Sequence, residues 1–383
     1  MKTIGIAGGG QLGRMLTDAA HELGFEVVTL DPDPRGPAGQ VSDNQIEGDY
    51  KVADAIRQLA EKCDVVTYEI ESVNAEALEE LAASGFPVHP TPKTLSIIKD
   101  KLKQKQFLAE HGIPVAPFSE ISRVPLDILA QQLGFPMVLK ARSGGFDGRG
   151  NALVESAADM PAALEKLKSA DVYAEGFVRF EKELAIVAAR TRDGDIKIYP
   201  LVETIHKDHI CHMTLAPAPV SEEVARKAHD LAQNVLASFD GAGVFGIEMF
   251  LISGGDAFEN FKASPQLLIN EIAPRVHNSG HFTIEACETS QFENHIRAVA
   301  GMPLGSAKMV VPAAVMINIL GDRDGKAEPK GVEEAQRIEG VKVHIYAKME
   351  TRKQRKMGHL TAVAETLEKA KANAEKARNL ISI

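Results

Sequence analysis

An α/β fold of two or three domains, opening on a Rossmann-like parallel sheet, is predicted by three features of the chain. An apolar run, a glycine-rich turn and a helix-like segment follow one another from residue 4, the order of a strand–loop–helix unit. Strand-like and helix-like segments then recur along the chain, and its last part is richer in strands. The length of 383 residues, with 44% hydrophobic side chains, is more than one core usually requires.

Residues 4–7 (I-G-I-A) read as a strand and residues 11–23 as a helix, with Gly8, Gly10 and Gly13 in the spacing G-x-G-x-x-G. Residues 26–30 read as a second strand ending at Asp31, near where a dinucleotide fold places its ribose ligand. Glycines let a backbone approach a phosphate, and helix N-terminal amides bind anions. A nicotinamide cofactor is one reading of this stretch; a rigid polar turn at Asp31-Pro32-Asp33-Pro34 is the other. Residues 65–68 read as a third strand ending in Glu69 and Glu71, again where open α/β sheets place ligands. A compact α/β domain to about Pro92 follows from these elements.

Residues 99–110 form a lysine-rich helix in which most lysines belong to a solvated face and one turns inward. The strand at residues 136–140 ends in Lys140, and just beyond it residues 143–150 carry four glycines. Such a loop can close its amides over a polyphosphate, or be a hairpin with no ligand. It lacks the Walker pattern, so a P-loop fold is not indicated. Residues 175–178 (Glu175, Gly176, Phe177, Val178) can pair their backbone with an adenine edge, and Glu183 in the next strand is placed for a ribose hydroxyl. His206, His209 and His212 tempt a zinc reading, but with no helical pattern around them a polar loop is the simpler one. Residues 221–238 are a helix capped by Ser221, with Val224, Ala228, Leu231 and Val235 on its apolar face.

Two acids interrupt apolar runs. Glu248 lies within residues 244–251, and Glu271 follows the short run Leu267-Leu268-Ile269. A buried acid is costly unless it pairs or binds a cation. A polar stretch beginning at Ser253-Gly254-Gly255-Asp256 could turn one strand back beside the other, so that both acids hold a hard cation such as Mg2+; two partly exposed strand acids and a polar loop are the other reading. Around Glu271, residues 270–281 (N-E-I-A-P-R-V-H-N-S-G-H) concentrate a guanidinium, two imidazoles and small polar side chains. Near the end, residues 310–320 and 341–346 read as strands, followed by five basic residues within 348–359. With the strand-like residues 360–363 after it, this run reads as a hairpin presenting cations to an anion. A final helix spans about residues 366–380.

A net charge of −10 argues against a nucleic-acid surface and leaves room for local basic pockets. Three widely spaced cysteines make neither a disulfide framework nor a zinc site and fit a reducing compartment. No apolar stretch is long enough to span a bilayer, and the start lacks a signal peptide's apolar core, so a cytoplasmic protein is expected. A homodimer is the default oligomer.

Taken together, G-G-G-Q-L-G-R, K-x-R-S-G-G-F-D-G-R-G, E-G-F-V, G-I-E-M-F, N-E-I-A-P-R-V-H-N-S-G-H and R-K-M-G-H, in that order over nearly the whole chain, resemble the ATP-grasp enzymes of the N5-carboxyaminoimidazole ribonucleotide synthase family. The resemblance implies a Rossmann-like domain over residues 1–98, an ATP-grasp domain over 99–305 with a lid at about 115–175, and a β-rich C-terminal domain over 306–383. It implies ATP-driven carboxylation of aminoimidazole ribonucleotide by bicarbonate through carboxyphosphate, in purine biosynthesis. Glu248 and Glu271, with Asn270, would hold Mg2+ (or Mn2+). Lys101 and Lys140 would contact the phosphates of ATP under a lid of Gly145, Phe146, Asp147, Gly148, Arg149 and Gly150. Adenine would fall to residues 175–178, the ribose to Glu183, and the rim to His206. Arg275, His277 and Asn278 would orient bicarbonate. Lys348, Arg355 and Lys356, with amides near Gln11 and Leu12, would grip the ribonucleotide phosphate. Asp147 would orient the amine and take its proton, with Arg149 beside it. Phe146 stands where the family often has tyrosine. A related ligase using formyl phosphate, such as a glycinamide ribonucleotide formyltransferase, shares the fold and the acyl-phosphate chemistry.

Overall fold

The structure is a computed structural model that describes residues 2–121, 124–145, 150–167, 171–252 and 266–383. Its N-terminal part is a four-stranded parallel sheet, built from β1 (Thr3–Ala7), β2 (Glu26–Asp31), β3 (Asn44–Glu47) and β4 (Val65–Tyr68) in the order β3-β2-β1-β4. The central β1 and β2 are mostly buried because helices cover the sheet: α1 (Gln11–Glu22), α2 (Ala53–Ala60) and α3 (Ala75–Ala83). β3 was not foreseen. Its sequence N-Q-I-E buries only Ile46, so this edge strand carries no apolar pattern. Gly8 holds φ +106°, and a Cβ there would lie 2.7 Å from Glu69 Cγ, so the turn into α1 accepts only glycine.

Helices α4 (Pro92–Ile98) and α5 (Lys101–Glu110) lead to a small antiparallel sheet. It comprises β5 (Phe118–Ser119), β6 (Met137–Ala141), β7 (Asn151–Val154) and β8 (Val172–Gly176), ordered β5-β8-β6-β7. Helices α6 (Leu126–Leu133) and α7 (Met160–Lys166) give it a core of its own around Leu129, Leu139 and Ala174. Residues 146–149 of the expected lid, and the expected turn at Ser253-Gly254-Gly255-Asp256, lie outside the described residues.

Among the described residues, all but two of the remaining strands join one large sheet. β9 (Lys182–Arg190), β11 (Val202–Lys207), β12 (Ile210–Ala216), β13 (Gly243–Ile252), β14 (Gln266–Ala273), β15 (Ala313–Leu320), β17 (Val341–Ile345) and β19 (Lys356–Ala364) run β14-β13-β9-β11-β12-β15-β19-β17, with β10 (Ile196–Ile198) on β9. Helix α8 (Glu222–Ser238) is capped by Ser221 and buries Val224, Ala228, Leu231 and Val235, as their spacing predicts. Helices α9 (Thr283–Ala286) and α10 (Gln291–Ala300) follow β14, and Phe292, Ile296 and Val299 share a core with Leu16 and Ala20 of α1. That contact, with Thr67 Oγ1 2.8 Å from His295 Nε2, fastens the N-terminal sheet to the large one. Helices α11 (Val332–Gln336) and α12 (Leu367–Leu380) cover the far end, where Ala370, Ala374 and Ala377 pack on Ile317 and Leu360.

Three expectations change here. The segment with His206, His209 and His212 is a β-hairpin instead of a polar loop: Asp208 and His209 take positive φ at its tip, and β11 and β12 pair on either side. β14 extends past the apolar run through Asn270 and Glu271 to Ala273, because Ile272 and Ala273 go on pairing with Ile247 and Gly246 of β13. The basic run is no single hairpin. Its middle, β18 (Glu350–Thr351), pairs with β16 (Gly325–Lys326), and Lys356 already begins β19.

Candidate active site

The acid pair is set by strand register. Glu248 of β13 is the direct partner of Glu271 on β14, while the next pair is Met249 with Ile269. Asn270 is therefore the extra residue of a β-bulge, and the bulge brings both Asn270 and Glu271 opposite Glu248. Asn270 Nδ2 donates to Glu248 Oε2 at 3.3 Å, and Lys101 Nζ lies 2.8 Å from Glu271 Oε2. Burial, then the charge of Glu271, pushes the Glu248 carboxyl up to about 6. Two adjoining acids with one amide and one lysine between them make a site short of positive charge, and their oxygen donors suit a hard divalent ion.

Beside it lies a lysine cluster. Lys101 and Lys105 sit one turn apart on α5, and both turn inward where one was expected. Lys105 Nζ donates to the Ile269 carbonyl at 3.0 Å and lies 3.5 Å from Glu175, while Lys140 Nζ lies 3.1 Å from Glu175 Oε1. Tyr173 Oη donates to the other oxygen of Glu175 at 3.1 Å. Burial works against the ionised Glu175, but the two lysines outweigh it and its pKa is lowered. Burial, with the Lys140 charge, outweighs the pull of Glu175 and brings Lys105 down to about 8. The Glu175 side chain is thus the hub of this cluster. Of the backbone expected to face adenine, Gly176 and Phe177 donate their amides to Pro117 and Pro136 at 2.8 and 3.4 Å. Val178 is buried and Phe177 exposed. Gly145 and Gly150 flank the part of the lid outside the described residues, and Gly150 accepts from the Ala141 amide at 2.7 Å.

A small cavity of about 70 Å³ opens next to Glu248, lined by Thr204, His206, Cys211, Glu248, His277, Asn278, Ser279 and Lys356. His206 Nδ1 pairs with Glu183; burial disfavours its charge, but the hydrogen bond to Glu183 prevails and its pKa is raised. His277 is held at both backbone groups by Gln291, at 2.8 and 2.7 Å, and its Nδ1 lies 2.8 Å from Ser279 Oγ. Burial, with the nearby Arg275 and Lys356 charges, brings His277 down to about 3, so the ring is neutral. Gly246 makes room for it, since a Cβ there would meet His277 Cβ at 2.4 Å. Arg275 does not line the cavity. It pairs with Glu71 of the N-terminal part at 2.7 Å and donates to the Val276 carbonyl.

The third cluster lies at the glycine turn. Gly9 donates to Asp31 at 2.6 Å and Gly10 to Glu69 at 2.7 Å, so the loop's amides are satisfied by the chain's own carboxylates. This removes the dinucleotide reading, because pyrophosphate would need those donors. The side chain of Leu12 is core, and Gln11 opens α1. Lys348 lies near Glu69 and Arg355, and burial, then the Arg355 charge, brings it down to about 7. Its Nζ donates to the Lys356 carbonyl at 2.7 Å and lies 5.7 Å from the centre of the Tyr346 ring. Arg355 donates to the Glu350 carbonyl. The Lys356 side chain departs from this group and lines the cavity beside His277. Sequence reasoning missed Lys105, Thr204, Cys211 and Ser279. The helical spacing of Lys105 from Lys101 and the place of Ser279 within residues 270–281 were the signals available.

The ribonucleotide synthetase preATP-grasp domain matches residues 1–99, the ATP-grasp domain residues 106–292, and the phosphoribosylaminoimidazole carboxylase C-terminal domain residues 314–373. An N5-carboxyaminoimidazole ribonucleotide synthase of Brucella melitensis is 41% identical over 94% of this chain and 96% of its own length. The chain belongs to the N5-carboxyaminoimidazole ribonucleotide synthase family of ATP-grasp ligases. The phosphoribosylaminoimidazole carboxylase of Ogataea methanolica is 44% identical over 96% of the chain, which spans 67% of that protein. The chain thus spans about two thirds of the length of such carboxylases, and 64% of the Saccharomyces cerevisiae one. A solved N5-carboxyaminoimidazole synthase from Aspergillus clavatus, in complex with ADP and 5-aminoimidazole ribonucleotide, superposes with a TM-score of 0.88 at 40% identity, covering 99% of this chain and 98% of that one. Among the described residues no helix is long and apolar enough to cross a membrane.

Proposed function

We propose that this chain carboxylates 5-aminoimidazole ribonucleotide with bicarbonate at the expense of ATP, giving N5-carboxyaminoimidazole ribonucleotide, ADP and phosphate in purine biosynthesis. The observation that carries this reading is the bulge that sets Glu248, Asn270 and Glu271 together beside the cavity of His277, Asn278 and Lys356. The bound ligands of the Aspergillus clavatus relative support it. A bicarbonate oxygen attacks the γ-phosphorus, ADP leaves, and carboxyphosphate forms. The exocyclic amine then attacks the carboxyl carbon of carboxyphosphate, or of CO2 released from it, phosphate leaves, and the amine loses a proton.

Phosphoryl transfer asks mostly for positioning and charge. Glu248, Glu271 and Asn270 would hold Mg2+ (or Mn2+), which supplies charge neutralisation for the phosphate oxygens. Lys101 and Lys140 would turn from Glu271 and Glu175 toward phosphate, with residues 145–150 as the lid. Residues 175–178 would face adenine through the backbone groups not already bonded. Glu183, held by His206, would face the ribose. Neutral His277, Asn278 and Lys356 would seat bicarbonate, with Arg275 bracing the cavity through Glu71. Lys348 and Arg355, with the amides of Gln11 and Leu12, would take the ribonucleotide phosphate. Asp147 would receive the amine proton and Arg149 would steady the closed lid. The protein would work in the cytoplasm as a homodimer.

ADP release with each substrate omitted in turn tests the assignment. Turnover should require the aminoimidazole ribonucleotide and bicarbonate together. Support of turnover by formate and glycinamide ribonucleotide instead would assign the related formyl phosphate ligase.

A further inference from the structure

The cavity assigned to bicarbonate has a support that none of the residues above accounts for. Asn318 of β15 is 1% exposed, yet it carries a full amide into the interior. Its Nδ2 donates twice, to the Cys211 carbonyl at 2.8 Å and to Asn278 Oδ1 at 2.7 Å. Its Oδ1 accepts from Asn278 Nδ2 at 3.0 Å. A primary amide has two N–H donors, and Asn318 spends both. Turning it over would set its oxygen against the Cys211 carbonyl, so its orientation is fixed. The reciprocal pair then fixes Asn278: its oxygen and one N–H are occupied by Asn318, and the remaining N–H is what it can offer the cavity it lines.

We infer that Asn318 is a positioning residue, locking the Asn278 amide so that an N–H and not a carbonyl meets a small anion in the cavity. The inference rests on the reading of that cavity as the bicarbonate site. It also gives the C-terminal part a share in substrate selection, because β15 reaches the cavity from its pairing with β12. An N–H at the Asn278 edge, where a flipped amide would set a carbonyl, favours an anion over a neutral molecule of similar size.

The test is steady-state ADP release by the full chain, varying bicarbonate at saturating ATP and aminoimidazole ribonucleotide. Asn318→Leu keeps the branched heavy-atom outline, at some cost in bulk, and removes the lock; the nearly isosteric Asn318→Asp replaces the two donors and serves if the first fails to fold. Each should raise the bicarbonate KM roughly tenfold, the worth of a lost hydrogen bond to a charged group, while the ATP KM stays near the wild-type value. Combined with Asn278→Ala, Asn318→Leu should add nothing further. If Asn278→Ala raises the bicarbonate KM and the Asn318 variants do not, the positioning role is wrong and the cavity reading stands. If Asn278→Ala leaves the bicarbonate KM unchanged, the cavity reading fails and takes the inference with it. A parallel rise in both KM values with a lowered Tm would make Asn318 a packing residue only.

Discussion

At the scale of single residues, the unfavourable electrostatics of Glu248 are informative. Its pKa, raised from 4.5 to about 6 by burial and by Glu271, means that ionising it costs stability in the metal-free chain. The sign follows from linkage: a folded-state pKa above the unfolded one gives stability that is complete below about pH 4.5 and lost as pH rises through 6. A shift of that size corresponds to about 2 kcal/mol, and solvent at the carboxylate, which keeps 29% of its side-chain surface, reduces it to about 1 kcal/mol. Metal-free Glu248→Gln should therefore match wild type below about pH 5 and melt higher at pH 7.5. Adding Mg2+ with ATP at pH 7.5 should reverse that order. Thermal denaturation at the two pH values checks both statements, and equal stabilisation of the two proteins by Mg2+ and ATP would take Glu248 out of the metal site.

At the scale of elements, the turn between β1 and α1 shows how one pattern serves different ends. The spacing of Gly8, Gly10 and Gly13 was legible, and so was the strand–turn–helix unit it belongs to. What the glycines make room for was not, because Asp31 and Glu69 reach the turn from β2 and β4. Replacing Gly8 by alanine forces a side chain into φ +106° with its Cβ 2.7 Å from Glu69 Cγ. The expected cost is roughly 2–3 kcal/mol, read as an apparent Tm several degrees lower. An unchanged Tm would mean that Glu69 gives way freely and does not pack the turn.

At the scale of the molecule, one sheet runs through two of the three expected domains. β12 pairs with β15 over four residues, and Met213 and Leu215 share a core with Ile317 and Leu360. Cutting the chain after residue 305 would bare the edge of β12 and that core, and an uncovered apolar edge pairs with other copies. The fragment 1–305 should accumulate as aggregate, as size-exclusion chromatography would report. A monomeric, ATP-binding fragment would show that the C-terminal part is dispensable for folding.

Helices α1, α5, α8 and α12 and apolar strands such as β1, β6, β13 and β15 followed from the sequence alone, since burying one face of an element leaves a pattern in the chain, whereas short helices such as α2, α6 and α11 were not legible. Residues 224–235 of α8 and the apolar run around Glu248 illustrate this. Glu248 stood out in the sequence because charge inside an apolar run requires a partner, whereas Lys101 and the roles given to the His277 region came from the resemblance of their motifs. Tertiary structure alone decided which charge meets which. The bulge that sets Asn270 and Glu271 opposite Glu248, the docking of Arg275 onto Glu71, and the grip of Asn318 on Asn278 all join residues distant in sequence. A pattern along the chain records which face of an element is buried, whereas a pairing across elements depends on register and packing, which no local period encodes.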